Sequence, residues 1–259
     1  MVTAERKGLG LPNLYVGTIG WSYNFWKGPF YPKKQPSIKL LNFYASKFNS
    51  VEVDGTFYRI PTQKTVINWR QETPKGFLFS LKFPQVITHL KMLRKCQNET
   101  DVFLNRVNFL EEKLGPLLLQ FPPNFGVERL PDLADFLGKL PRENRYVVEV
   151  RNKNLLNEDL YSVLRENNVA LAWVDSSLMP TLDKVTSVFL YARLEGDRRK
   201  LKGTLGKTEA DRSKDIEAWT KKLKPHIDAK DVFVYFGKYY SGYPPFDVKQ
   251  LLDYLAQNQ

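Results

Sequence analysis

Eight short β-rich runs recur along the chain, and helical patterns separate almost all of them. The runs are NLYVGTIG, SVEVD, GFLFSLKF, GPLLLQF, RYVVEVR, VALAWVD, SVFLYARLEG and DVFVYFGK. They are apolar on most residues, as strands are when a parallel sheet is covered on both faces. Between them lie IKLLNFYASKF, QKTVINWRQ, ETDVFLNRVNFLEEKL, LPDLADFLGKL, NEDLYSVLRENN, KDIEAWTKKLK and DVKQLLDYLAQ, whose apolar residues fall three or four apart, as in Leu40, Leu41, Tyr44 and Phe48. This alternation predicts an α/β fold of the TIM (β/α)8 type, with an open doubly wound sheet as the alternative. A chain of 259 residues fits one such barrel: a single domain over residues 14–259 behind an N-terminal extension, residues 1–13. One connection departs from the rule. SSLMPTLDKVT, between the sixth and seventh runs, is too short and Pro-broken for a full helix, so an irregular connection is expected there.

Several function classes drop out. GTIGWSYNFWKG after the first strand spaces Gly17 and Gly20 wrongly for a dinucleotide fingerprint, and no P-loop sequence occurs. The single cysteine, Cys96, excludes an internal disulfide, so no disulfide partner is expected, and it has no neighbouring His to activate it. No segment reaches the roughly 18 apolar residues of a membrane helix, and MVTAERKGLGLPN lacks a signal-peptide core; a cytoplasmic protein with no membrane partner is expected.

In a barrel, the C-terminal strand ends face the site, so polar residues there carry the functional signal. Glu52 and Asp54 end the second run, Lys82 the third, Gln120 the fourth, Glu149 and Arg151 the fifth, Asp175 the sixth, Arg193 and Glu195 the seventh, and Lys238 follows the eighth. Side chains alternate along a strand, so Glu52 with Asp54, Glu149 with Arg151, and Arg193 with Glu195 are same-face pairs. Burying them unpaired costs several kcal/mol, roughly, so they must meet one another, a metal or a ligand. Either they form a closed salt-bridge plug or they line a polar cavity. Only His89 and His226 are present, which disfavours an imidazole-rich zinc cluster; Glu52, Glu149, Asp175 and Glu195 are the set that would hold Mg²⁺ or Mn²⁺, unless Arg151 and Arg193 replace the metal's charge.

The formal charge of +11 favours a polyanionic or phosphorylated partner. GDRRKLKGTLGK after the seventh run carries Arg198, Arg199, Lys200, Lys202 and Lys207, in the position where barrels commonly bind phosphate; Gly196, Gly203 and Gly206 would bring backbone N–H groups to the oxygens. Trp21, Tyr23, Phe25, Trp26, Tyr239 and Tyr240 interleave flat rings with this charge, a pattern of single-stranded nucleic-acid binding as well.

Taken together, GTIGWSYNFWKGPFYP, FNSVEVDGTFYRIP, FLFSLKFPQVITH, LGPLLLQFPPNF, YVVEVRN and GYPPF resemble, in order and spacing, the YecE-like proteins, a domain-of-unknown-function family, from about Tyr15 to Leu255. The resemblance implies a TIM barrel similar to xylose isomerases and endonuclease IV, and by analogy alone sugar or nucleic-acid phosphate chemistry. The family's polar motifs fall on Trp21, Glu52, Thr56, Tyr58, Arg59, Lys82, His89, Gln120, Glu149, Arg151, Asn152, Asp175 and Arg193. The chain departs at Asp54, where relatives have Asn; at Glu195, where they have the His of RFHG or RLHG; and at Lys238, in FGK rather than FNN. A Glu195–Lys238 ion pair would restore the balance.

Two functions are expected from this set. One is an enzyme, a hydrolase or isomerase of a phosphorylated substrate, with Glu52 or Glu149 as acid or base, joined by Asp175 and Glu195. Trp21, Tyr58, Arg59, Lys82, His89, Gln120, Arg151, Asn152, Arg193 and Lys238 would then bind the ligand. The other is a nucleic-acid binder without turnover, or a barrel that has lost its chemistry.

Overall fold

A computed structural model describes residues 13–257. The expected extension therefore lies outside the described residues except for Asn13. Nine strands follow in order: β1 (Leu14–Thr18), β2 (Ser50–Val53), β3 (Leu78–Lys82), β4 (Leu114–Gln120), β5 (Tyr146–Glu149), β6 (Ala170–Leu171), β7 (Trp173–Ser176), β8 (Leu190–Gly196) and β9 (Val232–Tyr239). The helices are α1 (Leu40–Lys47), α2 (Gln63–Gln71), α3 (Gln97–Val107), α4 (Leu130–Lys139), α5 (Glu158–Glu166), α6 (Ser213–Ile227) and α7 (Pro244–Gln257). The expected third helix ends early: Val107 runs into a tighter 3-10 stretch, and Glu111 takes a positive φ of 52°, which an α-helix cannot accommodate. No helix joins β7 to β8, as the Pro-broken connection predicts.

All the strand pairs are parallel, but the ladders form two sheets, ordered β1-β9-β8-β7 and β2-β3-β4-β5-β6, not one closed ring. The sequence expectation of a barrel is met only at the level of a parallel α/β fold, and side chains at both seams explain why. Between β1 and β2, Asn49 takes the backbone partners: its Oδ1 accepts from Val16 N–H at 2.9 Å and its Nδ2 donates to the Leu14 carbonyl at 2.7 Å. Tyr44 Oη likewise accepts from Thr18 N–H. Only an isolated bridge, Ile19 with Glu52, pairs this edge directly. At the other seam, Ala172 separates β6 from β7, and the Leu171 N–H donates to Thr186 Oγ1 in the irregular connection. A donor satisfied by a side chain is lost to the ladder.

The apolar residues of one parity, including Val51, Phe79, Leu119, Val148, Ala192 and Val234, pack outward against the helices. Those of the other parity, including Leu78, Leu118, Val147, Phe189, Tyr191, Phe233 and Tyr235, form a second cluster between the sheets. Cys96 belongs to the outer core at 3% exposure, and burial pushes its thiol pKa up, away from the nucleophilic thiolate. Among the described residues no helix is long and apolar enough to cross a membrane.

Candidate functional site

The inner face rises in layers toward the C-terminal strand ends. Above the apolar base, Ser50 Oγ hydrogen-bonds Tyr235 Oη at 2.6 Å, and Ser80 Oγ bonds Tyr191 Oη at 2.7 Å, each across the gap between the sheets. Tyr191 donates onward to Glu52 Oε2 at 2.7 Å. Burial raises both tyrosine pKa values well above the usual range, so both remain protonated donors.

The next layer is built around Arg193. Its Nε donates to Glu52 Oε2 and its Nη2 to Glu52 Oε1, both at 2.9 Å, a bidentate fork in which neither side chain exceeds 2% exposure. Its Nη1 meets both Glu149 and Glu195. Arg151 closes the ring, with Nε on Glu149 Oε1 at 3.2 Å and Nη2 on Glu195 Oε2 at 3.3 Å, while Gln120 Nε2 donates to Glu149 Oε1 at 2.6 Å. Burial would raise the Glu149 pKa, but the Arg193 and Arg151 guanidiniums outweigh it and hold the carboxyl at about 2. Glu195 moves the other way: burial pushes it up, Arg193 opposes, and the Glu149 charge adds to the rise.

Above this floor opens a cavity of about 630 Å³. Of the sequence-predicted residues, Tyr58, Lys82, His89, Gln120, Glu149, Arg151, Arg193, Glu195 and Lys238 line it. Lys82 pairs with Asp54 at 3.2 Å and lies 4.0 Å over the Phe57 ring. His89 stands edge-on to Phe57 with Nδ1 bonded to Thr88 Oγ1; burial, then Lys82 and Arg151, lower its pKa, favouring the neutral ring.

Five expectations fail on placement. Glu52 is fully buried beneath the floor and holds Arg193, so it does not face the cavity. Asp175 shares parity with the outward-facing Leu171 and Trp173; its Oδ2 accepts from Trp219 Nε1 at 2.8 Å behind the sheet. Trp21 packs edge-to-face on Trp69 at 5.7 Å, Asn152 caps the turn at Asn154, and Arg59 is exposed in the loop after β2; none of the three lines the cavity. Arg193 is also recast. It lines the cavity, but four of its N–H groups already meet carboxylates, which makes it the centre of the floor.

The carboxylate set for Mg²⁺ or Mn²⁺ is likewise broken up. Asp175 faces away, and the three glutamates converge on a guanidinium; among the described residues no group of three or more His, Cys, Asp or Glu is arranged to hold a metal. The expected Glu195–Lys238 pair does not form, because Glu195 turns to Arg193 and Arg151. Of the basic loop's glycines only Gly196 lines the cavity, and the other two are engaged by the chain itself. The Gly203 N–H donates to Glu209 Oε1 at 2.7 Å, so a carboxylate of the chain already occupies the place proposed for phosphate. Gly206 lies so close to Phe25 that an added Cβ would sit 2.2 Å from its carbonyl oxygen. Only Arg198 and Arg199 of the loop's five cations reach the cavity. His226, the other histidine, is half-buried near the end of α6 with its ring 5.4 Å from Trp173, away from the cavity.

Further residues join the lining: Asp54, Tyr23, Tyr239, Arg198 and Arg199 are singled out in the sequence without being assigned to the strand-end site, and Phe57, Ser176 and Ser177 are not singled out at all. Parity would have found Tyr191, two residues before Arg193, and Ser176, which faces in where Asp175 faces out.

This architecture has relatives. The family described as "Protein of unknown function DUF72" matches residues 15–259. The chain belongs to the DUF72 family. The UPF0759 protein YecE of Escherichia coli strain K12 is 38% identical over 139 residues, which span 54% of this chain and about half, 48%, of YecE. The UPF0759 protein YunF of Bacillus subtilis strain 168 is 27% identical over 273 residues, covering 93% of this chain and 94% of YunF. A crystal structure of a DUF72 family protein from Thermotoga maritima MSB8 superposes with a TM-score of 0.77 at 25% identity, over 93% of this chain and 98% of that one. A DUF72 structure from Enterococcus faecalis V583 agrees in fold, with a TM-score of 0.73 at 21% identity over 93% and 95%.

Proposed function

We propose that residues 14–259 form one (β/α)8 barrel domain whose C-terminal mouth binds a phosphorylated small ligand and, through its carboxylates, acts on it as a hydrolase or isomerase. The barrel reading rests on the two seams: Ile19 bridges Glu52 across one, a single residue separates β6 from β7 at the other, and side chains from both sheets meet inside. In such a barrel the site stands where this cavity opens.

The observation that carries the ligand class is the distribution of charge within one cavity. The floor cations are spent on carboxylates, as are Lys82 and Arg199, on Asp54 and Asp197. Lys238 and Arg198 remain: each lines the cavity, and among the described residues neither has a carboxylate within ion-pairing distance. Cations left over at a cavity wall favour a negatively charged group. A volume of about 630 Å³ falls among small-molecule sites, roughly 300–1,000 Å³.

Calorimetric titration with inorganic phosphate and a panel of sugar phosphates tests this reading. Binding should occur at low salt, and Lys238→Ala should weaken it about tenfold, the order of one charge-assisted hydrogen bond. Equal affinity in wild type and variant would remove the assignment. A nucleic-acid binder would instead prefer oligonucleotides, with affinity falling steeply as salt rises. The exposed Tyr58 ring at the rim is the feature that would favour that outcome.

A further inference from the structure

The carboxylate ring on the cavity floor carries an unbalanced charge. Glu52, Glu149 and Glu195 supply three carboxylates, and Arg193 and Arg151 supply two guanidiniums. Lys82 also helps hold Glu149 low, but it brings the Asp54 carboxylate with it, so the pair leaves the deficit of one unchanged. Lys238 on β9 lies outside ion-pairing distance of any carboxylate among the described residues. A ring one positive charge short holds a proton more readily than an ordinary surface carboxylate does.

The three glutamates are not equivalent places for that proton. Glu52 is fully buried and accepts three hydrogen bonds, two from Arg193 and one from Tyr191. Glu149 is 2% exposed and accepts from Arg193, Arg151 and Gln120. Glu195 accepts only two, from Arg193 and Arg151, and its side chain keeps 23% of its surface open to the cavity. The least satisfied carboxylate, facing the space where a ligand would sit, is the cheapest to protonate.

We propose that Glu195 is the proton-exchanging group of this cavity, a general acid that protonates a ligand oxygen at the floor. This rests on the reading of the cavity as a ligand site. In the step, a lone pair on the ligand oxygen takes the carboxyl proton, and the electrons of the broken O–H bond stay on Glu195 as a carboxylate. Arg193 and Arg151 already point at its two oxygens, so the new charge meets donors that need not move. The open face lets solvent return the proton. The ligand class that follows bears a carbonyl, hydroxyl or ester oxygen within reach of the floor and an anionic group toward Lys238 and Arg198. The direction of the Glu195 pKa agrees, with burial and Glu149 raising it while Glu149 itself is held low; separated carboxyl pairs of this kind mark acid and base assignments.

Infrared difference spectroscopy between mildly acidic and mildly alkaline pH reads protonated carboxyl groups directly. The wild type should show a carboxylic C=O band that titrates above the ordinary range. Glu195→Gln should lose it, and Glu195→Asp should keep one at a shifted pH. Asp247, away from the cavity, supplies a second band near neutrality that Glu195→Gln leaves in place and Asp247→Asn removes. An unchanged spectrum in Glu195→Gln, or a wild type whose only such band belongs to Asp247, overturns the proposal. If Glu195→Gln fails to fold, the band in Glu195→Asp decides, since a spectrum identical to wild type would place the proton elsewhere. Phosphate plays no part in this readout, so failure of ligand binding and failure of the proton assignment are seen separately.

Discussion

Replacing Arg193 by Met removes the centre of the carboxylate ring while keeping much of its apolar volume. Three glutamates would then face one another, with Arg151 their only remaining guanidinium. The scale of the loss follows from Glu149. Against the upward push of burial, Arg193, with Arg151 and Lys82 in support, holds its carboxyl at about 2 against a usual 4.5; at roughly 1.4 kcal/mol per pKa unit this is on the order of 3 kcal/mol, shared among the three cations with Arg193 first. Breaking a buried pair by deleting one partner typically costs about 3–5 kcal/mol, the same order. The pH dependence gives a second check. A depressed carboxyl stabilises the fold fully above its unfolded pKa and loses that contribution as pH falls toward its folded value. In Arg193→Met the surviving glutamates instead favour protonation, so the variant's deficit should be greatest at neutral pH and shrink below about 4.5, the usual value for glutamate. Urea denaturation at neutral and acidic pH, with the slope compared to confirm unchanged compactness, measures both effects. A loss under about 1 kcal/mol at neutral pH, or one independent of pH, would refute the argument that Arg193 is the charge keystone.

Two further outcomes are expected. Lys113 is buried and donates through Nζ to the Arg70 and Thr73 carbonyls, both at 2.6 Å, capping the C-terminal end of α2; Lys113→Met should cost about 1–3 kcal/mol in thermal or urea unfolding, and an unchanged midpoint would remove the capping role. Asp247 is buried in the first turn of α7, accepting from Ser241 at 2.7 Å, and burial raises its pKa to about 7. Since its folded pKa lies above the unfolded one, wild-type stability should fall as pH rises from about 4 to 7. Asp247→Asn should flatten that decline, and an equally steep decline in the variant would place the titration elsewhere.

How well each candidate residue's placement could be read depends on what fixes its direction. Local sequence carries strand parity, and parity puts Glu149 with Arg151 on one face of their run and Arg193 with Glu195 on one face of theirs. It could also have rejected Asp175. In VALAWVD the small Ala170, Ala172 and Val174 alternate with Leu171 and Trp173, and the larger set packs on the helices, so Asp175 goes outward with it. Trp21, Arg59 and Asn152 sit in loops, where no periodicity fixes direction, and their placement was illegible. The basic loop misled for another reason. Its glycines suggest phosphate contact, yet the competing acceptor, Glu209, comes from a few residues further on and satisfies the same backbone donors.

The sequence by itself determined the succession of parallel strands and helices, the helix-free connection before β8, and the gathering of charged residues at the strand ends. These follow from periodicity, Pro placement and parity, which act over a few residues. Only the tertiary structure decided which charges meet. Glu52 and Arg193 are 141 positions apart and become a bidentate pair because the two sheets face each other. The same long-range geometry made Glu52 a buried anchor, left Glu195 open to the cavity, and let Asn49 and Thr186 interrupt the ladders at the seams. Such outcomes depend on competition among distant donors and acceptors for the same partners, and no local pattern encodes the winner.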